Sequence, residues 1–312
     1  METYQTIHEC QRRHMDADCF NADRKAIHES WFQENTVNFW RHQRMYETIK
    51  PVAVKYKEKK WLSIGDGRFG LDAHRLKAMF NLNVFPTDIS QNMLIQGKEL
   101  GLIREYGIEN AEELTFPDNA FDIVFCKESF HHFPRPMIAL YEMIRVCTDA
   151  VILIEPNDFY VLNRPRSIAK SSVKWLLSRH LRNSRYADYS FSLFSSKPHS
   201  FEKSGNYVYG LSKRELEKTV HALNLKEFAW IGLNDYYIKG CEFEAAEPRN
   251  EVFQQTKSNI RKMDKRCRWL PIFHDWNLIT AVIFKKEIDT EFKKEMRSFG
   301  YKFSEILPNP YI

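Results

Sequence analysis

Trp61-Leu62-Ser63-Ile64-Gly65-Asp66-Gly67-Arg68-Phe69-Gly70 is the stretch whose reading decides the fold. A short apolar run breaks into three glycines, and an amphipathic segment begins at Leu71. This is the sequence form of a strand, a tight turn and a helix. Glycine suits such a turn because the backbone takes positive φ there and because a ligand can approach bare backbone. Ordinary strand-to-helix turns use glycines too, so the loop alone leaves a structural and a ligand-binding reading open.

Working outward, Leu71, Leu76, Met79 and Phe80 suit the buried face of a helix, and Asn83–Asp88 reads as a second strand ending on an acid. Asp88 lies about twenty residues past the glycines, where a dinucleotide-type fold sets a carboxylate on a ribose. The alternative is an N-cap, which Ser90 would serve equally well. A helix through Met93, Leu94 and Leu100 precedes a short strand and loop at Ile108–Glu112. The strand Asp122–Cys126 runs into Lys127-Glu128-Ser129-Phe130-His131-His132-Phe133, and Pro134 and Pro136 open another helix. The apolar run Ala150–Glu155 is a buried parallel strand. Strands alternating with helices predict a doubly wound, mostly parallel, seven-stranded α/β sheet of Rossmann-like type.

Upstream, Ala22 to Lys50 predicts one helix, with Phe32, Phe39 and Tyr46 every seven residues, ended by Pro51. It reads as a helix packed on the main domain, with a flap over the site as the alternative. Downstream, the pattern lapses between Phe159 and Asn206. Arg164 to Arg185 holds seven cations and no acid, a basic amphipathic helix that suits a solvated face, a lid, an anionic partner or a membrane surface. A helix Ser212–Asn224, a strand Glu227–Leu233, a charged insert from Cys241 to Trp276 and a last strand Leu278–Phe284 follow. The expected division is a helical extension over 1–56, a main domain over 57–288 with a helical lid insert at about 159–206 and a second insert at 241–276, and a surface tail over 289–312.

The formal charge of +5 permits an anionic ligand, nucleic acid or membrane but requires none. The six cysteines form no CxxC pair and no zinc-spaced cluster, so free thiols and no metal are expected. The polar start lacks the apolar core of a signal peptide, and no run is long enough to span a bilayer. A cytoplasmic protein is expected.

Taken together, the carboxyl ends of four strands resemble the class I S-adenosylmethionine-dependent methyltransferases, over about Trp61 to Asp158. The final strands fall where that family places its sixth and seventh. The resemblance implies S-adenosyl-L-methionine as cofactor. Gly65, Asp66, Gly67 and Gly70 would lie under its amino-acid part, Asp88 would hold the ribose, and Asn110, Ala111 and Glu112 would lie by the adenine. Lys127 would join them at the end of the fourth strand. The longer run Cys126–Pro136 with Glu155-Pro156-Asn157-Asp158 is similar to methyltransferases of bacterial surface-polysaccharide biosynthesis. The chain departs from the family at three places. Ser63 replaces the usual acid, Arg68-Phe69 lengthens the glycine loop, and Asn110 replaces the adenine-side acid. Asp66 is a candidate to face the cofactor's ammonium.

Methyl transfer from a sulfonium rests on alignment and exclusion of water, and a hydroxyl acceptor benefits from a base. His131, His132 and Asp158 are the candidates, the histidines having loop packing as an equal alternative. Glu128 and Asp235 stand behind them, and Phe69, Phe130 or Phe133 could set a ring against the sulfonium. The expected acceptor is a hydroxyl or amine of a small molecule or glycan intermediate. The rivals are an RNA methyltransferase, an NAD-dependent oxidoreductase and a non-catalytic cofactor-binding partner subunit. RNA is disfavoured by the absence of an Asn/Asp-Pro-Pro-aromatic motif after the fourth strand.

Overall fold

The computed structural model describes residues 2–19, 21, 24–158, 206–271, 274–307, 309 and 311. The predicted lid and its basic segment lie outside the described residues.

Eight strands form one mixed sheet: β1 (Lys60–Ile64), β2 (Asn83–Asp88), β3 (Gly107–Ile108), β4 (Phe121–Lys127), β5 (Cys147–Pro156), β6 (Glu227–Leu233), β7 (Leu278–Phe284) and β8 (Lys302–Ser304). Their order is β3-β2-β1-β4-β5-β7-β6-β8. The first five are parallel, whereas β7 runs antiparallel to β5 and β6, and β8 antiparallel to β6. The expected seven-stranded sheet is thus corrected to eight strands of mixed direction. The extra strand comes from the tail, which folds into a helix capped by Asp289 and returns along β6 instead of lying on the surface.

The helices are α1 (Glu2–Cys19), α2 (Lys25–Ser30), α3 (Val37–Glu47), α4 (Lys50–Lys55), α5 (Leu71–Phe80), α6 (Gln91–Glu99), α7 (Pro136–Val146), α8 (Lys213–Ala222), α9 (Glu251–Trp269) and α10 (Thr290–Phe299). The single helix expected from Ala22 to Lys50 is two, α2 and α3, and α4 begins where it was expected to end. Thr36 pairs with Ala245 in an isolated bridge and then caps α3 through its hydroxyl. Pro51 lies in the first turn of α4 rather than ending a helix, because a first-turn proline gives up an N–H that has no partner there anyway.

Strand alternation sorts the core into two layers. On β4, Val124 and Cys126 face α7 and α8, while Ile123 and Phe125 face the other side. That second layer is built from Met45 of α3, Val52 and Ala53 of α4 and Ile49 between them, with Phe292 and Met296 of α10. Of the upstream helices, α3 and α4 are therefore part of the main core. Ser212 caps α8 in a full capping box with Glu215, as its sequence predicts.

Candidate active site

The parallel strands deliver their carboxyl ends to one edge, where doubly wound sheets bind ligands. Gly65 (φ 74°) and Gly70 (φ 69°) both take the left-handed conformation. A Cβ on Gly65 would come within 2.4 Å of Ser129 Cβ, and one on Gly67 within 2.7 Å of the Asp88 carboxylate. The bare backbone is therefore what lets the loop nest between β2 and β4. Ser129 Oγ donates to Gly65 O at 2.7 Å and ties loop to strand.

The loop's added residue has a use the sequence did not disclose. Phe69 (φ 61°) is buried against Phe32, Trp31 and His28, and the Arg68 guanidinium lies over Trp31. Left-handed backbone is costly at a bulky residue, so this packing is what retains it. The lengthened turn is an anchor for α2 and the segment after it.

Gly65 divides the cleft into two parts. One side is lined by Asp88, Ile89, Asn110, Ala111, Glu112 and Phe133. Asp88 is buried, and that burial pushes its carboxyl up to about 6 despite N–H groups from Ser90, Gly67 and Ile89. Its Oδ1 accepts from Ser90 N at 2.8 Å, and Ser90 Oγ turns to Asp16 of α1 instead of capping α6. Asn110 Oδ1 accepts from Glu112 N at 3.0 Å. Glu112 is held by Arg135 Nε at 2.6 Å and by His8 of α1 at 3.2 Å, which outweigh its burial and lower its pKa. Gln11 of α1 donates to His132 O. The first helix thus closes over this half of the cleft.

The other side is lined by Trp31, Phe39, His42, Tyr46, Asp72, Lys127 and Glu128 among others. Lys127 is buried with Nζ 3.3 Å from Asp72 Oδ1 and 3.2 Å from Glu128 Oε2. Tyr46 donates to Asp72. Glu128 (φ 52°) is a strained non-glycine residue at the end of β4, with Oε2 3.4 Å from His42 Nδ1. Burial alone would raise its pKa, but Lys127, His42 and Arg68 hold it well below the usual range. Burial also drives His42 well below its ordinary value, so its imidazole is neutral at pH 7. Asp66 lines this side, but its carboxylate accepts from Asp72 N and Ala73 N at the start of α5. Burial and nearby Asp72 push Asp66 up to about 8.

The rings of His131 and His132 lie with centroids 3.9 Å apart, tilted by 41°, in the turn Phe130–His132 after β4. Nδ1 of His131 lies 2.6 Å from Oε2 of Glu155, a buried carboxylate whose other oxygen accepts from Ser129 N and Phe130 N. Asp158 donates its N–H to Leu211 O at 2.9 Å. None of these three candidates lines either half of the cleft. Sequence reasoning passed over His42, Tyr46, Asp72 and Glu155. A signal existed for the first two, since Phe39, His42 and Tyr46 share one face of α3 at three- and four-residue spacing. Among the described residues, no group of three or more His, Cys, Asp or Glu could hold a metal ion.

A glycine turn under a parallel strand, a buried carboxylate after the next strand and a cleft across both define a nucleotide-type cofactor site. Residues 62–154 match a family model described as "Methyltransferase domain", and the chain is an S-adenosylmethionine-dependent methyltransferase. S-adenosylmethionine is its cofactor. The residues fit the group, because Asp88 is a buried acceptor that forms no ion pair among the described residues and Gly67 leaves the space before it clear.

Solved structures with a similar fold include a Thermotoga maritima SAM-dependent methyltransferase described as a possible histamine N-methyltransferase. It is 16% identical over 78% of this chain and 89% of that one, with a TM-score of 0.43. A SAM-dependent methyltransferase from Archaeoglobus fulgidus is 14% identical over 78% and 94%, with a TM-score of 0.43. The plantazolicin methyltransferase BpumL, solved with SAH, is 13% identical over 92% and 98%, with a TM-score of 0.45. None of these likenesses bears on the acceptor of this chain. No curated protein matches it.

Proposed function

We propose that the chain methylates a hydroxyl or amine of a small molecule or glycan intermediate, of the kind used in surface-polysaccharide biosynthesis. When bound, S-adenosylmethionine supplies an electrophilic methyl group on a sulfonium. Asp88 would accept the ribose hydroxyls, and Asn110 and Ala111, with Glu112 behind them, would border the adenine. Gly65, Gly67 and Gly70 would give the amino-acid part its room. Asp72 is better disposed than Asp66 to meet an ammonium, since both oxygens of Asp66 already accept backbone N–H groups. Lys127 would hold Asp72 and Glu128 in place.

The observation that carries this reading is a neutral histidine inside the cleft, backed by a carboxylate. His42 lines the half of the cleft bounded by aromatic and hydrogen-bonding side chains, and Glu128 would stabilise its protonated form. Aromatic walls with a few convergent polar groups suit a polyhydroxy acceptor. We assign proton removal to His42. Of the bases proposed from the sequence, His131 and His132 would then act through the turn they form, with Glu155 fixing the His131 tautomer.

Calorimetry with S-adenosylmethionine, S-adenosylhomocysteine and NAD tests the cofactor half of this reading, and heat from NAD alone would sink it. Release of S-adenosylhomocysteine in the presence of hexoses and nucleotide sugars tests the acceptor half. Release that depends instead on added RNA would favour the RNA methyltransferase.

A further inference from the structure

Among the described residues, the face of α9 turned away from the core lines neither half of the cleft. Phe253, Thr256, Ile260 and Cys267 anchor the helix on its buried side. Opposite them, Arg261, Lys262, Lys265, Arg266 and Arg268 are all exposed. At about 100° per residue these five fall within an arc of roughly 160°. None of them forms an ion pair with a described residue. Asp264, the one acid in that half of the helix, points elsewhere, its Oδ1 accepting from Asn234 Nδ2 at 2.9 Å. The helix then ends on Trp269, 82% exposed, and Leu270, 50% exposed. On the helical wheel Trp269 falls in the middle of the cationic arc.

Solvation explains lysines and arginines on a surface, but it does not explain an indole and an isobutyl group left in water beside them. Phosphates of a nucleic acid would answer the cations and leave Leu270 without a purpose. An anionic bilayer answers both, because headgroup phosphates meet the cations while Trp and Leu enter the headgroup–acyl boundary. Among the described residues no helix is long and apolar enough to cross a membrane, so such contact would be peripheral. Position agrees with this. Asn234 follows β6 and bonds both Asp264 and Cys267, so this half of α9 sits at the edge of the sheet where β1, β2 and β4 also end.

We propose that the Arg261–Leu270 face of α9 docks the protein on anionic phospholipid, with the cleft edge turned toward the membrane surface. This is independent of which acceptor is methylated. The test is co-sedimentation of the full chain with vesicles of phosphatidylcholine alone and of phosphatidylcholine with about 30 mol% phosphatidylglycerol. Binding is expected only to the anionic vesicles, and it should weaken as salt rises. The variant K262E/K265E/R266E should lose about tenfold or more in vesicle affinity, with calorimetric S-adenosylmethionine binding unchanged as the check on folding. W269S, which keeps every charge, should weaken binding several-fold. The difference in fluorescence between wild type and W269F should shift to the blue on vesicle addition. Three results would overturn the proposal: no binding to anionic vesicles, equal binding by the charge-reversed variant, or an RNA oligonucleotide that binds the same face more tightly and displaces the vesicles.

Discussion

On the Asp88 side of Gly65 the cleft is floored by residues that follow the parallel strands β1, β2, β3 and β4, with His8 and Gln11 of α1 closing over them. On the Lys127 side it is closed by α2 and α3, which are held there by the Arg68-Phe69 bulge, the Arg41–Asp235 pair and the packing of Met45 and Tyr46 in the core. One half is set by sheet geometry and would survive many changes elsewhere. The other joins parts of the chain distant in sequence, so under the proposed function acceptor choice is the property most open to change by remote substitution.

The sharpest test of that contrast is His42→Ala. If His42 takes the acceptor's proton, kcat should fall by about 10²- to 10⁴-fold, with S-adenosylmethionine affinity nearly unchanged by calorimetry. His131→Ala should cost much less, and a reversal of these two effects would return the base to the β4 turn. Asp88→Ala should do the opposite of His42→Ala, weakening cofactor binding about 10- to 100-fold through lost charge-assisted hydrogen bonds. An N-cap role alone would leave affinity intact and show only in thermal unfolding.

Arg41→Ala leaves the partly buried Asp235 without its cation. Denaturant unfolding should show a loss of about 3–5 kcal/mol, together with a raised acceptor KM because α3 carries His42. The pH dependence follows from Asp88. Its folded pKa of about 6 lies above the unfolded value, so its stabilising contribution is present below pH ~4 and is lost as pH climbs through 6. The free protein should therefore lose stability over that window, while cofactor affinity rises as the carboxylate forms. Asp88→Asn should flatten the Asp88 part of both trends and leave the slope that Asp66 adds nearer pH 8. The smallest effect is expected at Ser212→Ala, which removes the capping box of α8 for about 1 kcal/mol and leaves both halves of the cleft as they were.

These differences track what local sequence can encode. The glycine turn, Asp88 at the end of β2 and the boundaries of β6 and β7 were legible because each is written in neighbouring residues: apolar alternation, a turn residue, a cap. The eighth strand was not legible, since Lys302–Ser304 is too short to show a period and exists only through its pairing with β6. The role of Phe69 was equally hidden. An added loop residue reads as a departure from a pattern until the rings that receive it, supplied from nearly forty residues upstream, are seen beside it.

By itself, then, the sequence determined the α/β class, the glycine loop after β1 and the carboxylate at the end of β2, because those features rest on backbone conformation within a single βαβ stretch. Only the tertiary structure decided that Asp66 caps α5, that His131 leans on Glu155, and that His42 stands in the cleft against Glu128. Each of these is a meeting of a charge or an imidazole with a partner brought by packing. Burial, which sets both their pKa values and their partners, is not a property that neighbouring residues can carry.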